Sequence, residues 1–128
     1  MGVLLIVSVC FYFQVHQPYR LSKYNVFDIG HHKEYYDSQK NISILHKVRD
    51  KCYLPANRMI QDMINDTNGK FKASYSISGV LLEQMKDHAP EVIQSFQDLA
   101  KTGNVEFLSE TYYHSLSYLY SKDEFKEQ

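Results

Sequence analysis

Three short segments rich in β-favouring residues are set apart by stretches of helical periodicity, and this order constrains the fold more than any other feature. The first segment runs from Val7 to Val15. In the second, Phe71, Ala73, Tyr75 and Ile77 alternate with Lys72, Ser74, Ser76 and Ser78, and the third is Val105 to Leu108. Between the first two, Ile42, Leu45, Val48 and Cys52 recur at helical spacing, and Met59, Ile60, Met63 and Ile64 resume the series after Pro55. A proline inside a continuous helix costs on the order of 3 kcal/mol, so Pro55 is expected in the first turn of a separate second helix. Asn68-Gly69 supplies a left-handed stop. Ser78 is expected to cap the helix carrying Leu81, Leu82 and Met85; Pro90 opens another, with Val92, Ile93, Phe96, Leu99 and Ala100 on its buried stripe, and Gly103 ends it. Strands alternating with helices build a parallel sheet with helical crossovers, so the class is α/β. Ser121 and Glu124 form a capping-box pattern that opens a last short helix near Gln128. Strands and helices that break off at a helix start give the expectation of an incomplete parallel (β/α) barrel. Residues 1–128 would be its N-terminal part, without an internal boundary.

The N-terminal run from Val3 to Val15 is apolar except for Ser8 and Gln14. A membrane-spanning helix needs about 20 apolar residues, and a signal peptide needs a basic start and a small-residue cleavage site. Neither pattern is present, so the Val7–Val15 part reads as a strand buried on both faces, with Met1 to Ile6 as its extension or a start-site artefact. His16-Gln17-Pro18-Tyr19 ends that strand, because proline removes a ladder donor. The polar segment from Arg20 to Lys40 has no sustained period and reads as a long functional loop.

Charge and cysteine content narrow the partners. Fourteen basic and 15 acidic residues give a net charge of -1, with no Lys/Arg cluster suited to a phosphate backbone, so nucleic acid is not expected as a partner, nor is a membrane. Cys10 and Cys52 form neither a disulfide framework nor a metal knuckle, which fits a reducing, cytoplasmic setting. Eleven tyrosines and no tryptophan stand out, with clusters at Tyr35-Tyr36 and from Tyr112 to Tyr120. Rings with a polar tip suit a groove for polar ligands, although a partly exposed sheet edge would use them too.

In parallel α/β barrels the C-terminal strand ends converge on one mouth. This singles out His16 and Gln17 after the first strand, and Glu106 to His114 at and after the third. In the plainer reading His16 is a histidine satisfied by backbone and Gln17 a turn residue. Glu106 lies inside an apolar strand, where a buried carboxylate is costly without a partner or polar ligand; a structural salt bridge would also explain it. Glu106 and Glu110 do not make a glycosidase pair while extended. Four residues of strand separate them by roughly 13 Å, against about 5 to 9.5 Å in such pairs. His16, His31, His32 and His114 lack metal-ligand spacing, so neither metal nor cofactor is expected.

Phe11-Tyr12-Phe13-Gln14-Val15-His16-Gln17-Pro18-Tyr19 resembles the opening motif of glycoside hydrolase family 57, whose first strand ends in His-Gln-Pro. Gly103-Asn104-Val105-Glu106-Phe107-Leu108, followed by Tyr112-Tyr113-His114, is similar to that family's second motif, a Gly-x-x-Glu strand with aromatics and a histidine behind it. Lys51 to Asn57 and Ser76 to Gly79 resemble segments of its bacterial α-amylase members. The resemblance covers about Val9 to Gln128. It implies a (β/α)7 barrel acting on α-1,4-glucans by a retaining double displacement, by hydrolysis or by glucan transfer. It also implies that the nucleophile and general acid lie beyond Gln128, so that no catalytic carboxylate falls within the chain. His16, Gln17, Glu106, Tyr113 and His114 would then be substrate-binding residues. Ser109-Glu110-Thr111 departs from the family pattern and leaves the role of Glu110 open.

Three readings follow: an inactive N-terminal portion of an α-glucan-active enzyme, a small stand-alone sugar-binding module, or part of a metal-dependent deacetylase-like hydrolase. The first makes an α-glucan the partner. Exposed strand edges and unfilled barrel positions also predict self-association.

Overall fold

A computed structural model describes residues 8–128, so the part of the N-terminal run before Ser8 lies outside the described residues. Three strands, β1 (Tyr12–Val15), β2 (Ala73–Ile77) and β3 (Val105–Leu108), form one parallel sheet in the order β1-β2-β3. The register sets Tyr12 beside Ser74 and Ser74 beside Glu106, then Gln14 beside Ser76 and Ser76 beside Leu108. Helices α1 (Ser38–Val48) and α2 (Leu54–Asp66) cross from β1 to β2, and α3 (Gly79–His88) and α4 (Pro90–Lys101) cross from β2 to β3. The α/β class read from the element order is the observed one.

Side chains alternate across a strand, so odd and even positions go to opposite faces. Val15, Ala73, Tyr75 and Val105 join Leu45, Ile60, Leu81, Met85, Val92, Phe96 and Leu99 in one core beneath α1–α4. Tyr75 is packed between Phe13, Phe96 and Phe107, and burial pushes its phenol up to about 12. The even positions, Tyr12, Gln14, Ser74, Ser76, Glu106 and Leu108, lie on the other face, outside that core. There Tyr12 Oη and Ser76 Oγ share a hydrogen bond of 2.7 Å.

Three expectations need correction. Of β1 only Val15 is buried, because β1 is an outer strand and one face of the sheet carries no helix; Tyr12 is 52% exposed. Next, α1 and α2 are not separate helices. Arg49–Tyr53 forms a π-helical turn with helical backbone on both sides, and the Leu54 amide donates to the Arg49 carbonyl. The wider turn absorbs the hydrogen bond that Pro55 cannot make. The third correction concerns Glu106. Its side chain is exposed, with no hydrogen bond or ion pair among the described residues, so the desolvation argument does not apply to it. The alternation that buries Val105 turns Glu106 to the open face.

The expected Arg20–Lys40 loop ends at Asp37, which caps α1, and it is more ordered than its composition suggests. Ser22 and Asp37 amides donate to the carbonyls of Tyr35 and Arg20, at 2.9 Å each, and Leu21 bridges Tyr36. Inside it Asn25 caps a 3-10 turn at Val26–Asp28. At the chain's end α5 (Lys122–Glu127) starts at Ser121, whose hydroxyl accepts from the Glu124 amide. The Glu124 carboxylate accepts from Gln128 instead of closing the box. Among the described residues no helix is long and apolar enough to cross a membrane.

Candidate active site

The even-numbered face continues past the strand ends. His16 follows Gln14, Ser78 follows Ser76 and Glu110 follows Leu108, so strand alternation carries one polar residue from each strand to the C-terminal edge of the sheet. Ser78 Oγ lies 2.7 Å from His16 Nδ1. Its hydroxyl is therefore spent on the histidine, and α3 starts without a side-chain cap. The Ser78 carbonyl still accepts from the Leu81 and Leu82 amides. The expected capping role is corrected to this extent: the residue sits at the N-cap and its backbone serves the helix, while its side chain serves the site.

His114 completes the group from the turn after β3. Its ring centroid is 4.9 Å from that of His16. Gln14 Nε2 stands 3.1 Å from His114 Nδ1 and 3.2 Å from Nε2, which puts the amide over the ring's face. Nδ1 also meets the carboxylate of Glu110. That carboxyl side chain is only 8% exposed, and both oxygens are shut off from solvent without a hydrogen bond in acceptable geometry. Its polar neighbour is thus in ion-pair contact, and the charge is paired only when the imidazole carries a proton. The histidine backbone is left-handed, with φ 54°. A side chain there costs roughly 1 to 2 kcal/mol, which marks the turn as held in place by its surroundings.

Gly79 and Tyr112 hold the turn. A Cβ on Gly79 would fall within the Tyr112 ring, so glycine lets that ring lie on the start of α3. The Val80 amide donates to the Tyr112 carbonyl at 3.0 Å, and Tyr112 Oη donates to Glu83 at 2.9 Å. The Glu83 bond, ahead of partial burial, raises the Tyr112 phenol above its usual range. For His16, burial is the largest influence and lowers the imidazole below its ordinary 6.5. The nearby His114 pushes the same way, and Glu110 opposes both.

The sequence-derived candidates separate into groups. His16 and His114 are in contact through their rings, and Tyr113, next in sequence to His114, is exposed, its ring 4.8 Å from that of Tyr112. Gln17 points elsewhere: its Oε1 accepts from Arg20 Nη2 at 2.8 Å, and its carbonyl accepts from Gln84. Odd numbering explains this, since Gln17 follows Val15 toward the helix side. Glu106 shares the open face but makes no hydrogen bond or ion pair with the histidine pair among the described residues. His31 and His32 lie in an exposed turn of the Arg20–Lys40 loop, and no group of three or more His, Cys, Asp or Glu among the described residues is arranged to hold a metal ion. Sequence reasoning did not assign Gln14 or Ser78 to the site, and it left the role of Glu110, inside the singled-out segment from Glu106 to His114, open. The available signal was the shared even parity of 14, 16, 78 and 110.

Polar side chains gathered at the C-terminal ends of parallel strands are the arrangement of α/β enzymes. Sequence comparison makes the class specific. The family profile of glycosyl hydrolase family 57 matches residues 10–128, and the chain belongs to that family of glycoside hydrolases. It is 43% identical over 122 residues to a protein of Methanocaldococcus jannaschii described as "Putative alpha-amylase". The match covers 93% of this chain and 26% of that protein, so the chain spans about a quarter of its relative's length. No solved structure matches the chain.

Proposed function

We propose that this chain forms the substrate-side part of a retaining glycosidase or transglycosidase acting on α-1,4-glucans, and that the nucleophile and general acid come from sequence beyond residue 128. The observation that carries the reading is the polar edge of His16, Ser78, Glu110 and His114 above an open face that bears Glu106. Further strands added at the sheet edges would close a (β/α)7 barrel around that face. Its even-numbered side chains would become the interior and His16, Tyr113 and His114 its rim. In this reading His16 and His114 hydrogen-bond sugar hydroxyls, and Glu106 receives a hydroxyl near the scissile bond. Gln17 acts through its backbone, because its side chain is engaged by Arg20. The description of the Methanocaldococcus jannaschii relative supports the glucan assignment. Two unbonded cysteines, Cys10 and Cys52, support a cytoplasmic location.

The test combines calorimetric titration of the chain with maltoheptaose and a reducing-sugar assay on the same preparation. Saturable binding that weakens at least fivefold in His16→Asn and in Glu106→Gln, without sugar release, is the expected result. Release above background that disappears in Glu106→Gln would overturn the assignment of the catalytic carboxylates to later sequence. Absence of binding would overturn the glucan assignment.

A further inference from the structure

A cavity of about 410 Å³ opens between the loop after β1, α1, α3 and the turn after β3, the turn that also carries His114. Its volume lies in the usual range for small-molecule sites, about 300 to 1,000 Å³. Tyr19, Tyr36 and Tyr113 supply aromatic surface, and Asn41, Glu83 and Gln84 supply polar groups. The Tyr19 and Tyr36 ring centroids are 5.1 Å apart, with the rings tilted by 41°. Tyr36 and Tyr113 remain 47% and 59% exposed, so part of each side chain is open to a ligand.

The wall is already built. Asn41 is buried, and its side chain grips the Arg20 backbone at both ends: Oδ1 accepts from the amide at 2.8 Å and Nδ2 donates to the carbonyl at 3.2 Å. Gln84, also buried, donates from Nε2 to the Gln17 carbonyl at 2.8 Å and to the Val80 carbonyl at 3.2 Å. Both of its N–H bonds are thus committed, and its Oε1 has no protein donor among the described residues. Glu83 takes the Tyr112 hydroxyl on Oε2, which leaves Oε1 as a further acceptor.

Charge selects the ligand class. Partial burial, followed by the carboxylates of Glu83 and Asp87, holds the Tyr19 phenol above its usual range, so its hydroxyl stays a neutral donor. An anionic ligand would face those same carboxylates. Aromatic faces, amide and carboxylate acceptors and a phenol donor suit a neutral ring with many hydroxyls.

We propose that this cavity is an outer sugar subsite, which takes one or two glucosyl units of an α-glucan beyond those held at His16 and His114. The inference rests on the glucan reading above. Two links join cavity to mouth: Gln84 holds the carbonyl of Gln17, next in sequence to His16, and Tyr113 lines the cavity next in sequence to His114. In this reading a sugar chain that runs from the histidine pair into the cavity contacts Tyr113 and the Tyr19–Tyr36 pair.

The test is a nuclear magnetic resonance titration of the isotope-labelled chain with maltotriose. The aromatic signals of Tyr19 and Tyr36 and the side-chain amide of Gln84 report the cavity, and the imidazoles of His16 and His114 report the mouth. Shifts at both sets are expected, with Tyr36→Ala weakening binding about fivefold, the amount one lost aromatic contact is worth. Tyr113→Ala, on an exposed turn, is the second variant should loss of Tyr36 unfold the loop. Shifts confined to His16 and His114 would overturn the subsite and leave the glucan reading standing. Shifts confined to the cavity would support a sugar site there and count against the mouth, and no shift at either set would overturn both.

Discussion

Glu110 and His16 decide how this edge of the molecule answers to pH and mutation. With its oxygens shut off from solvent and His114 as its polar neighbour, Glu110 holds that ring against His16. Removing one member of a buried pair is costly, but His114 is 40% exposed and solvent screens the contact. Glu110→Ala removes this screened contact together with two buried oxygens that lack a hydrogen bond, so it should change folding stability by less than about 1 kcal/mol, measured by urea denaturation, and broaden the His114 ring signals as the ring loses its fixed position. For His16 the folded imidazole lies below its ordinary 6.5, so near that pH the unfolded chain binds more protons than the folded one. Stability contributed by neutral His16 is full above 6.5 and is lost as pH falls through the lowered folded value. A urea midpoint that falls between pH 7.5 and 5, with a smaller fall in His16→Asn, is the expected result. A slope unchanged by that substitution would remove His16 as its source.

At the scale of elements, the contact between α3 and the turn after β3 depends on one missing methyl group. Gly79 has no left-handed backbone requirement, and alanine near a helix start normally helps by up to about 1 kcal/mol. Here the added Cβ collides with Tyr112, so Gly79→Ala should destabilise the chain by about 1 to 3 kcal/mol and break the Tyr112–Glu83 hydrogen bond. Thermal melting gives the sign, and the ring resonances of Tyr112 report the lost hydrogen bond. A stabilised variant would show that the turn yields easily. The elements themselves were largely legible in the sequence. Alternating Ala73, Tyr75 and Ile77 marked β2, and Pro90 and Gly103 bounded α4, because backbone sterics and burial act locally there. The π turn at Arg49–Tyr53 was not legible. Proline shows that a hydrogen bond must be missing, and only the packing of Tyr53 and Ile60 in the core decides whether the chain bends or widens its helix. Ser78 illustrates the same limit at the site: its position foretold a cap, and a histidine 62 residues away claimed the hydroxyl.

For the whole molecule, the consequence of a one-sided layer is association. Helices cover the odd-numbered face, while β1 and β3 each have an outer edge unpaired among the described residues. Phe11, Tyr12 and Leu108 are between 44% and 52% exposed nearby. Sedimentation velocity should show a weight-average mass that rises with concentration, and Leu108→Lys should reduce the rise by setting a charge at one edge. A concentration-independent monomer of 15.1 kDa would rule this out. The division of labour between odd and even positions also sets which changes of length the chain can survive. One residue inserted into β2 would exchange its two faces, sending Tyr75 outward and Ser76 into the core and moving Ser78 away from His16. The loop after β1 is pinned at its base by the Leu21–Tyr36 bridge, and its tip, residues 23–34, has no such parity to keep. Across descendants of this sequence, gaps and insertions should therefore gather in that loop, while the spacing from Tyr12 to His16, from Ala73 to Ser78 and from Val105 to Glu110 stays fixed even where the residues themselves drift.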